Sequence, residues 1–407
     1  MKFIFKGHES DLEKGEIFFH FGFEGEKNID FTEKISFSPV AFKIPETLLK
    51  SLLDNLMLIL GVSYWKAYCP KEIEIKDNFL TREQAEFWNT VYTKGMGEFY
   101  YKNKIDFREL INFPYNNKKA KGPTLFPRQN RSLVGIGGGK DSIVAAELLR
   151  KSNKQFDLVT SGFPIQIEIA KMIGGRVINT FRQIDPKLLE LNKEKGTYNG
   201  HIPISVYYAF LILLMAALFD YKYAVVGNEK SANYGNVEYL GQMINHQWSK
   251  SEEFENLFKK YVKKFITPDI EYSSPLRNMT ELQVVEGFVK YPKYFKVFSS
   301  CNKNFKISRP SFAKASAVKW CGECAKCLFV FICLAAFLPK KGVLNIFGKN
   351  LFEDKSLIPL FEELIGVRNF KPFECVGTPE EVKEALKKIV EKGKFNDTIL
   401  IEHLQNL

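Results

Sequence analysis

One stretch of the chain constrains its fold more than any other. Ser132-Leu133-Val134-Gly135-Ile136 is followed by Gly137-Gly138-Gly139-Lys140-Asp141-Ser142 and then by Ile143-Val144-Ala145-Ala146-Glu147-Leu148-Leu149. The pattern predicts a buried strand, a glycine turn and an amphipathic helix, because apolar residues recur at helical spacing after the turn. Three successive glycines let backbone N–H groups converge on one point, since no Cβ blocks positive φ or close approach. A helix beginning at Asp141 or Ser142 adds free N–H groups and the positive end of its dipole. With the Lys140 charge and the Ser142 hydroxyl beside it, this is the chemistry of a phosphate site. A Walker A loop does not fit, because Val134 stands five before Gly139 and Asp141 follows Lys140. The dinucleotide fingerprint fails as well, since its third glycine would fall on Lys140.

The loop resembles the Ser-Gly-Gly-x-Asp-Ser turn of the PP-loop ATP pyrophosphatases, with Gly137 in place of the first serine. That resemblance implies cleavage of ATP between the α and β phosphates, the loop holding pyrophosphate while AMP activates a substrate. Two further short strands, Phe156–Thr160 and Arg176–Thr180, flank a helix over Ile165–Ile173, so a doubly wound parallel sheet is expected. In such sheets ligands sit beyond the carboxyl ends of strands, which places Thr160, Ser161 and Gly162 near the nucleotide. The strand Tyr223–Val226 ends in Gly227-Asn228-Glu229-Lys230-Ser231-Ala232-Asn233, a polar cluster expected to face the same cleft. Gly227 is read with the nucleotide site, and Asn228, Ser231 and Asn233 with the substrate. His201 opens the buried helix that follows Pro203, beside the predicted cleft. Glu238, Gln242, His246 and Trp248 are read as one polar helix. Arg277, in Pro275-Leu276-Arg277, is a candidate phosphate or carboxylate clamp.

Cys301, nineteen intervening residues and then Cys321-Gly322-Glu323-Cys324-Ala325-Lys326-Cys327 form the second signal. Thiolates at this spacing can converge on one tetrahedral Zn²⁺. The competing reading is packing, since the run continues into the apolar segment Leu328–Leu334, where cysteine serves as a small hydrophobe. The cyanodeazaguanine synthases, themselves PP-loop enzymes, carry a similar zinc site.

The 407 residues divide by pattern into an α+β part (1–122), the ATP domain (123–300) and a cysteine-bearing helical region (301–407). Alternating apolar residues predict a strand over Glu16–Phe23, and Glu46–Gly61 reads as a helix. Thr81-Arg82-Glu83-Gln84 has the form of a capping box, and Asn116–Pro123 that of an exposed linker. Net charge is +11, but the lysines are interspersed with acidic residues and no run of five basic residues occurs. A phosphate-bearing substrate accounts for that balance, and no nucleic-acid partner is expected. The start Met1-Lys2-Phe3-Ile4-Phe5-Lys6 lacks a signal-peptide pattern, and the longest apolar run, Val206–Phe219, is short for a bilayer span. Seven cysteines, three of them crowded together, suit a reducing compartment. A cytoplasmic protein without a membrane partner is expected; oligomeric state is left open.

Taken together the chain resembles the UDP-N-acetylmuramoyl-L-alanyl-L-glutamate epimerases of the MurL type. The resemblance is carried by Gly137–Ser142, Glu229-Lys230-Ser231-Ala232-Asn233, the Cys321/Cys324/Cys327 stretch, Lys371-Pro372-Phe373-Glu374-Cys375-Val376-Gly377 and Gly61–Pro70. It implies conversion of UDP-MurNAc-L-Ala-L-Glu to the D-Glu epimer in peptidoglycan synthesis, with ATP giving AMP and pyrophosphate and with Mg²⁺ required. The chemistry is coherent: AMP on the α-carboxylate cancels its charge and acidifies the α C–H. Cys375, Glu229 and His201 are the candidate proton carriers, with Lys140 or Arg277 facing the enolate. A PP-loop enzyme that adenylates tRNA or a nucleobase is the alternative, and it requires salt-sensitive RNA affinity. A non-catalytic nucleotide-binding module is disfavoured by the intact Lys140, Asp141 and Ser142.

Overall fold

The computed structural model describes residues 1–40, 43–76, 78–117, 122–303 and 319–407. Residues 118–121 of the expected linker lie outside the described residues. The chain begins with an antiparallel meander, β1 (Lys2–Asp11), β2 (Glu16–Glu24) and β3 (Ile29–Phe37), and β4 (Glu72–Ile75) adds to β1 in parallel. Alternation along β1 and β2 buries Phe3, Phe5, Phe19, Phe21 and Phe23 in one core with α1 (Glu46–Trp65). Gly61 is required there, because a Cβ would stand 2.3 Å from the Phe5 ring. By length and apolarity α1 could cross a bilayer, yet 72% of its most apolar window is buried inside the molecule. Its apolar surface is thus already used. Thr81 caps α2 (Arg82–Lys94) in a true capping box, and Phe87, Trp88 and Tyr92 on that helix are core.

The second half of the sheet is parallel. Its strands are β5 (Ser132–Ile136), β6 (Phe156–Thr160), β7 (Val177–Gln183), β8 (Tyr223–Val225) and, after the β9–β10 hairpin described below, β11 (Glu271–Ser273). The full order is β11-β8-β5-β6-β7-β3-β2-β1-β4, so the meander and the parallel strands form one nine-stranded sheet. The seam is the antiparallel β3–β7 pair, Lys34 to Phe37 against Gln183 to Thr180. A buried polar network holds it. Arg182 donates to both Glu33 carboxylate oxygens (2.5 and 3.2 Å) and to Ser63, and Tyr64 OH donates to Glu33. Every charge in that network has a partner, which is the condition for burying one.

Helices cover both sides of the parallel strands, and the strand alternation shows how. Leu133 of β5 joins the core containing α1 and α7 (Ile204–Leu218), after α3 (Gly97–Asn103) and α6 (Pro186–Leu191) have been passed in sequence. Val134 and Ile136 point the other way, into a core with α4 (Lys140–Lys151), α5 (Pro164–Ile173), α9 (Glu281–Phe288) and α10 (Ala325–Phe337). Between them in sequence lies α8 (Glu252–Phe265), and beyond them α11 (Lys340–Phe347), α12 (Ile358–Leu364) and α13 (Pro379–Glu391). α10 is apolar all round and buried, as the Leu328–Leu334 run requires.

One expected element is absent. Glu238, Gln242, His246 and Trp248 do not share a helix: β9 (Val237–Tyr239) and β10 (Gln242–Ile244) form a hairpin, and Trp248 starts a short 3₁₀ turn. Leu240 (φ 51°) and Gly241 (φ 79°) are both left-handed, as a tight two-residue hairpin turn demands.

Candidate active site

The parallel strands run outward from β5 to β6 and β7, and the chain then crosses to the other side of β5 to lay down β8. The loops after β5 and β8 therefore diverge at a switch in strand order, the place where such sheets open a ligand crevice. The first loop is Gly137–Gly139, and α4 begins directly after it at Lys140, one residue earlier than the sequence pattern suggests. Gly138 has φ 93°, and a Cβ on Gly137 would meet nothing within 4 Å, so the mouth of the turn is open. No side chain caps α4, which leaves its first N–H groups to the crevice. Ser142 Oγ accepts from Gly137 N–H (3.3 Å) and donates to the Gly139 carbonyl (3.1 Å), fixing the loop. Gly227, after β8, lies flat on this turn: a Cβ there would come within 2.8 Å of the Asp141 backbone. Thr160, Ser161 and Gly162 end β6 as expected. Thr160 Oγ1 donates to Asn179, and Ser161 donates through N–H and Oγ to Gln166 (both 2.9 Å).

Lys140 is not a mobile charge. Its ammonium is buried, donates to Asp141 (2.5 Å) and pairs with Glu281 at the start of α9. Those two carboxylates outweigh burial and hold it protonated. Glu281 also faces Lys326 (3.7 Å), and Lys326 in turn donates to the Cys375 carbonyl, while its own N–H donates to Glu374 (2.6 Å). A continuous chain of charged contacts thus joins the glycine turn to Cys375. Burial alone would raise the Cys375 thiol, but Lys250 (Nζ 3.5 Å from Sγ), His246 (Nε2 3.7 Å) and Lys326 bring it down to about 5. His246 itself is lifted to about 9 against burial by Cys375 and Glu98, so the two form a thiolate–imidazolium pair. Glu229 behaves in the opposite way. Burial, with Glu281 and Asp141 nearby, raises its carboxyl to about 7, and its Oε2 is buried with no hydrogen-bond partner.

His201 joins this cluster from the side. Its Nδ1 lies 3.2 Å from Glu98, and burial and His246 lower it to about 3, so it is neutral. The other expected contacts turn inward. Asn228 N–H donates to Ser274 Oγ (3.0 Å), and its side chain lies 3.4 Å from Tyr272 OH; Ser231 Oγ donates to Glu381 (2.7 Å). Asn233 accepts from the Glu252 N–H at the start of α8, and Arg277 forks onto Glu255 (2.7 and 3.0 Å) and donates to the Glu229 carbonyl. These four side chains hold the scaffold in this structure, and with Lys140 also paired, neither expected cation is free to face an enolate. Lys250, His246 and Glu98 were missed by sequence reasoning. His246 and Lys250 lie four residues apart just after the β9–β10 hairpin, and Glu98 comes from the distant α3, so nothing local ties the three together.

Cys301, Cys321, Cys324 and Cys327 bring four sulfurs within 4.8 Å of one another, with Cys321 and Cys327 3.7 Å apart. A tetrahedral Zn²⁺ with bonds of about 2.3 Å separates its sulfurs by roughly 3.8 Å, so the donor set fits that ion. All seven cysteines are unpaired.

Two family models cover nearly the whole chain: the MurL N-terminal domain matches residues 1–275 and the MurL C-terminal domain residues 297–407. A UDP-N-acetyl-alpha-D-muramoyl-L-alanyl-L-glutamate epimerase of Xanthomonas oryzae pv. oryzae is 37% identical over 358 residues, 88% of this chain and 78% of the relative. Relatives of the same name from Micromonospora sp. and Salinispora tropica are each 33% identical across 99% of this chain, and 90% and 88% of their own lengths are covered. The chain therefore belongs to the MurL family of epimerases.

Proposed function

We propose that this epimerase inverts the glutamyl α carbon of UDP-MurNAc-L-Ala-L-Glu after the α-carboxylate has been adenylated by ATP. The observation that carries the reading is the adjacency of an open glycine turn and a thiolate. Gly137–Gly139 and the N-terminus of α4 form a phosphate cradle of the PP-loop kind on a doubly wound sheet, linked to Cys375 through Lys140, Glu281 and Lys326. Mg²⁺ would enter with the triphosphate, and Asp141 is the carboxylate at the turn that could reach it. Carboxylate oxygen attacks the α phosphorus, the bond to pyrophosphate breaks, and the substrate carbonyl loses its negative charge. The Cys375 thiolate then takes the α proton: C–H breaks, S–H forms, and the electron pair moves onto the acyl oxygen as an enolate. Glu229, protonated at its raised pKa, returns a proton to the opposite face. Groups whose environments push their pKa values apart are suited to such opposed roles. Water then releases AMP at the acyl carbon, and exchange with solvent resets thiol and carboxylate. Lys250, beside the sulfur, is the cation that replaces Lys140 and Arg277 near the enolate.

The four-cysteine cluster would hold a structural Zn²⁺ that fastens the start of α10, and with it Lys326, in place. It touches no reacting atom.

The reading is tested by solvent deuterium entering the glutamyl α position in the presence of ATP and Mg²⁺, followed against pH. The thiolate is lost below its pKa and the Glu229 proton above its own. A bell is therefore expected, with its acid limb near 5 and its basic limb near 7. A rate that climbs steadily to pH 9 would remove Glu229 as proton donor, and exchange without any limb near 5 would remove Cys375 as base.

A further inference from the structure

His246 stands between two groups, and each of its ring nitrogens is committed to one of them. Nδ1 faces the Glu98 carboxylate at hydrogen-bond distance, and Nε2 faces Cys375 Sγ at 3.7 Å. We propose that Glu98, His246 and Cys375 act as one unit, in which Glu98 is a positioning residue that fixes the imidazole so that Nε2–H donates to the sulfur that takes the substrate proton.

Sequence and packing both build this arrangement. Glu98 sits in the first turn of α3, where the helix dipole favours a carboxylate. Gly97 beside it lets the β9–β10 hairpin dock, since a Cβ there would press to 3.1 Å on Ile244. Asn236 then fixes the far side. Its side-chain oxygen accepts from His246 N–H (2.8 Å), and its amide donates to the carbonyls of Lys371 (2.9 Å) and Pro372 (3.0 Å), on the loop that carries Cys375. One asparagine thereby joins the histidine to the cysteine loop. The unit is nearly enclosed: the Glu98 side chain is 6% exposed and that of His246 13%.

Charge supports the same roles. Burial disfavours the Glu98 carboxylate, but the hydrogen bond and charge of His246 and the hydrogen bond from Lys102 (2.5 Å) hold it down at about 2, so it remains an anion. The groups facing the sulfur are Lys250 and His246 from the hairpin side, Lys326 from α10, and Glu374 and Lys371 from its own loop. Of these, Lys326 has Glu281 at 3.7 Å, whereas His246 holds its carboxylate, Glu98, at hydrogen-bond distance on the ring nitrogen opposite the sulfur. An imidazole without that carboxylate would be free to turn or change tautomer and would lose its hold on the sulfur.

The role in catalysis rests on Cys375 being the base; the role in holding the thiolate does not, and the test separates them. In the full chain, Glu98→Gln is expected to raise the pH midpoint of the Cys375 thiolate ultraviolet absorbance, read against Cys375→Ala, by about one unit, a tenfold loss of thiolate at pH below that midpoint. The acid limb of α-deuterium exchange should move upward with it. The kcat should fall about 10- to 10²-fold with KM little changed. That is less than the roughly 10⁴-fold loss when the carboxylate of a serine-protease triad becomes an amide, because Lys250 still faces the sulfur. Glu98→Asp should recover part of both. Should Glu98→Gln fail to fold, His246→Gln leaves the Glu98–Lys102 pair intact and is expected to shift the same absorbance. An unchanged thiolate titration in the folded variant overturns the proposal. A shifted titration together with undiminished epimerisation by Cys375→Ala upholds the positioning unit and overturns Cys375 as the base.

Discussion

Cys375→Ala is expected to abolish epimerisation, by about 10²–10⁴-fold or more, while adenylation continues. The two halves of the site have different dependencies, which is why they should separate. The glycine turn is set by the backbone of Gly137–Gly139, by Ser142 and by the Lys140–Glu281 pair, none of which touches the Cys375 side chain. Lys326 donates to the Cys375 main-chain carbonyl and to Glu374, and both acceptors survive substitution at 375. Exchange of labelled pyrophosphate into ATP should therefore persist in the variant with the dipeptide substrate present. Deuterium should stop entering the α position. Cys375→Ser should do no better, because a hydroxyl beside Lys250 and His246 is far too weak an acid to stand as an anion near neutral pH. A variant that loses both partial reactions equally would mean that the sulfur supports the fold of the site and does not carry the proton.

The second large effect is expected at the start of α10. Cys327→Ser should abolish zinc binding and lower stability by on the order of 5 kcal/mol. Zinc-finger peptides owe about 10–16 kcal/mol to their metal. The loss here is smaller because α10 also buries Leu328–Ala336 against its neighbours and keeps that packing. Elemental analysis of the purified chain should find one zinc, retained on dialysis, and none in the variant; thermal unfolding should show the loss. Epimerase activity should fall with it, since Cys324 and Cys327 bracket Lys326, the residue that ties Glu281 to the Cys375 carbonyl. Wild-type protein without metal, unfolding at the same temperature as Cys327→Ser, would return the four cysteines to ordinary core residues.

What could be read in the sequence was what neighbouring residues decide. The turn at Gly137–Ser142 and, to within a residue, the start of α4 are local: the glycines and the helical apolar period lie within a dozen residues. The capping box at Thr81 and the convergence of four cysteines are similarly local, or follow from a spacing rule. The β3–β7 seam could not be seen, because Arg182 and Glu33 are 149 residues apart and nothing in either strand names the other. The β9–β10 hairpin was mistaken for a helix for a definite reason. Glu238, Gln242 and His246 recur every four residues, whereas the turn that overrides that period begins with Leu240, an unusual residue for a left-handed position. That error concealed His246, which with Lys250 lowers the Cys375 thiol. Arg277 carried the right charge for a clamp, but Glu255 on α8 had already claimed it.

The central claim is that the substrate's own α-carboxylate receives AMP before its neighbouring C–H bond breaks. Substrate labelled with ¹⁸O in both oxygens of the glutamyl α-carboxylate tests it directly. Turnover with ATP should deliver one labelled oxygen to the phosphate of AMP for each molecule hydrolysed at the acyl carbon. Epimerised product accompanied by unlabelled AMP would contradict the account.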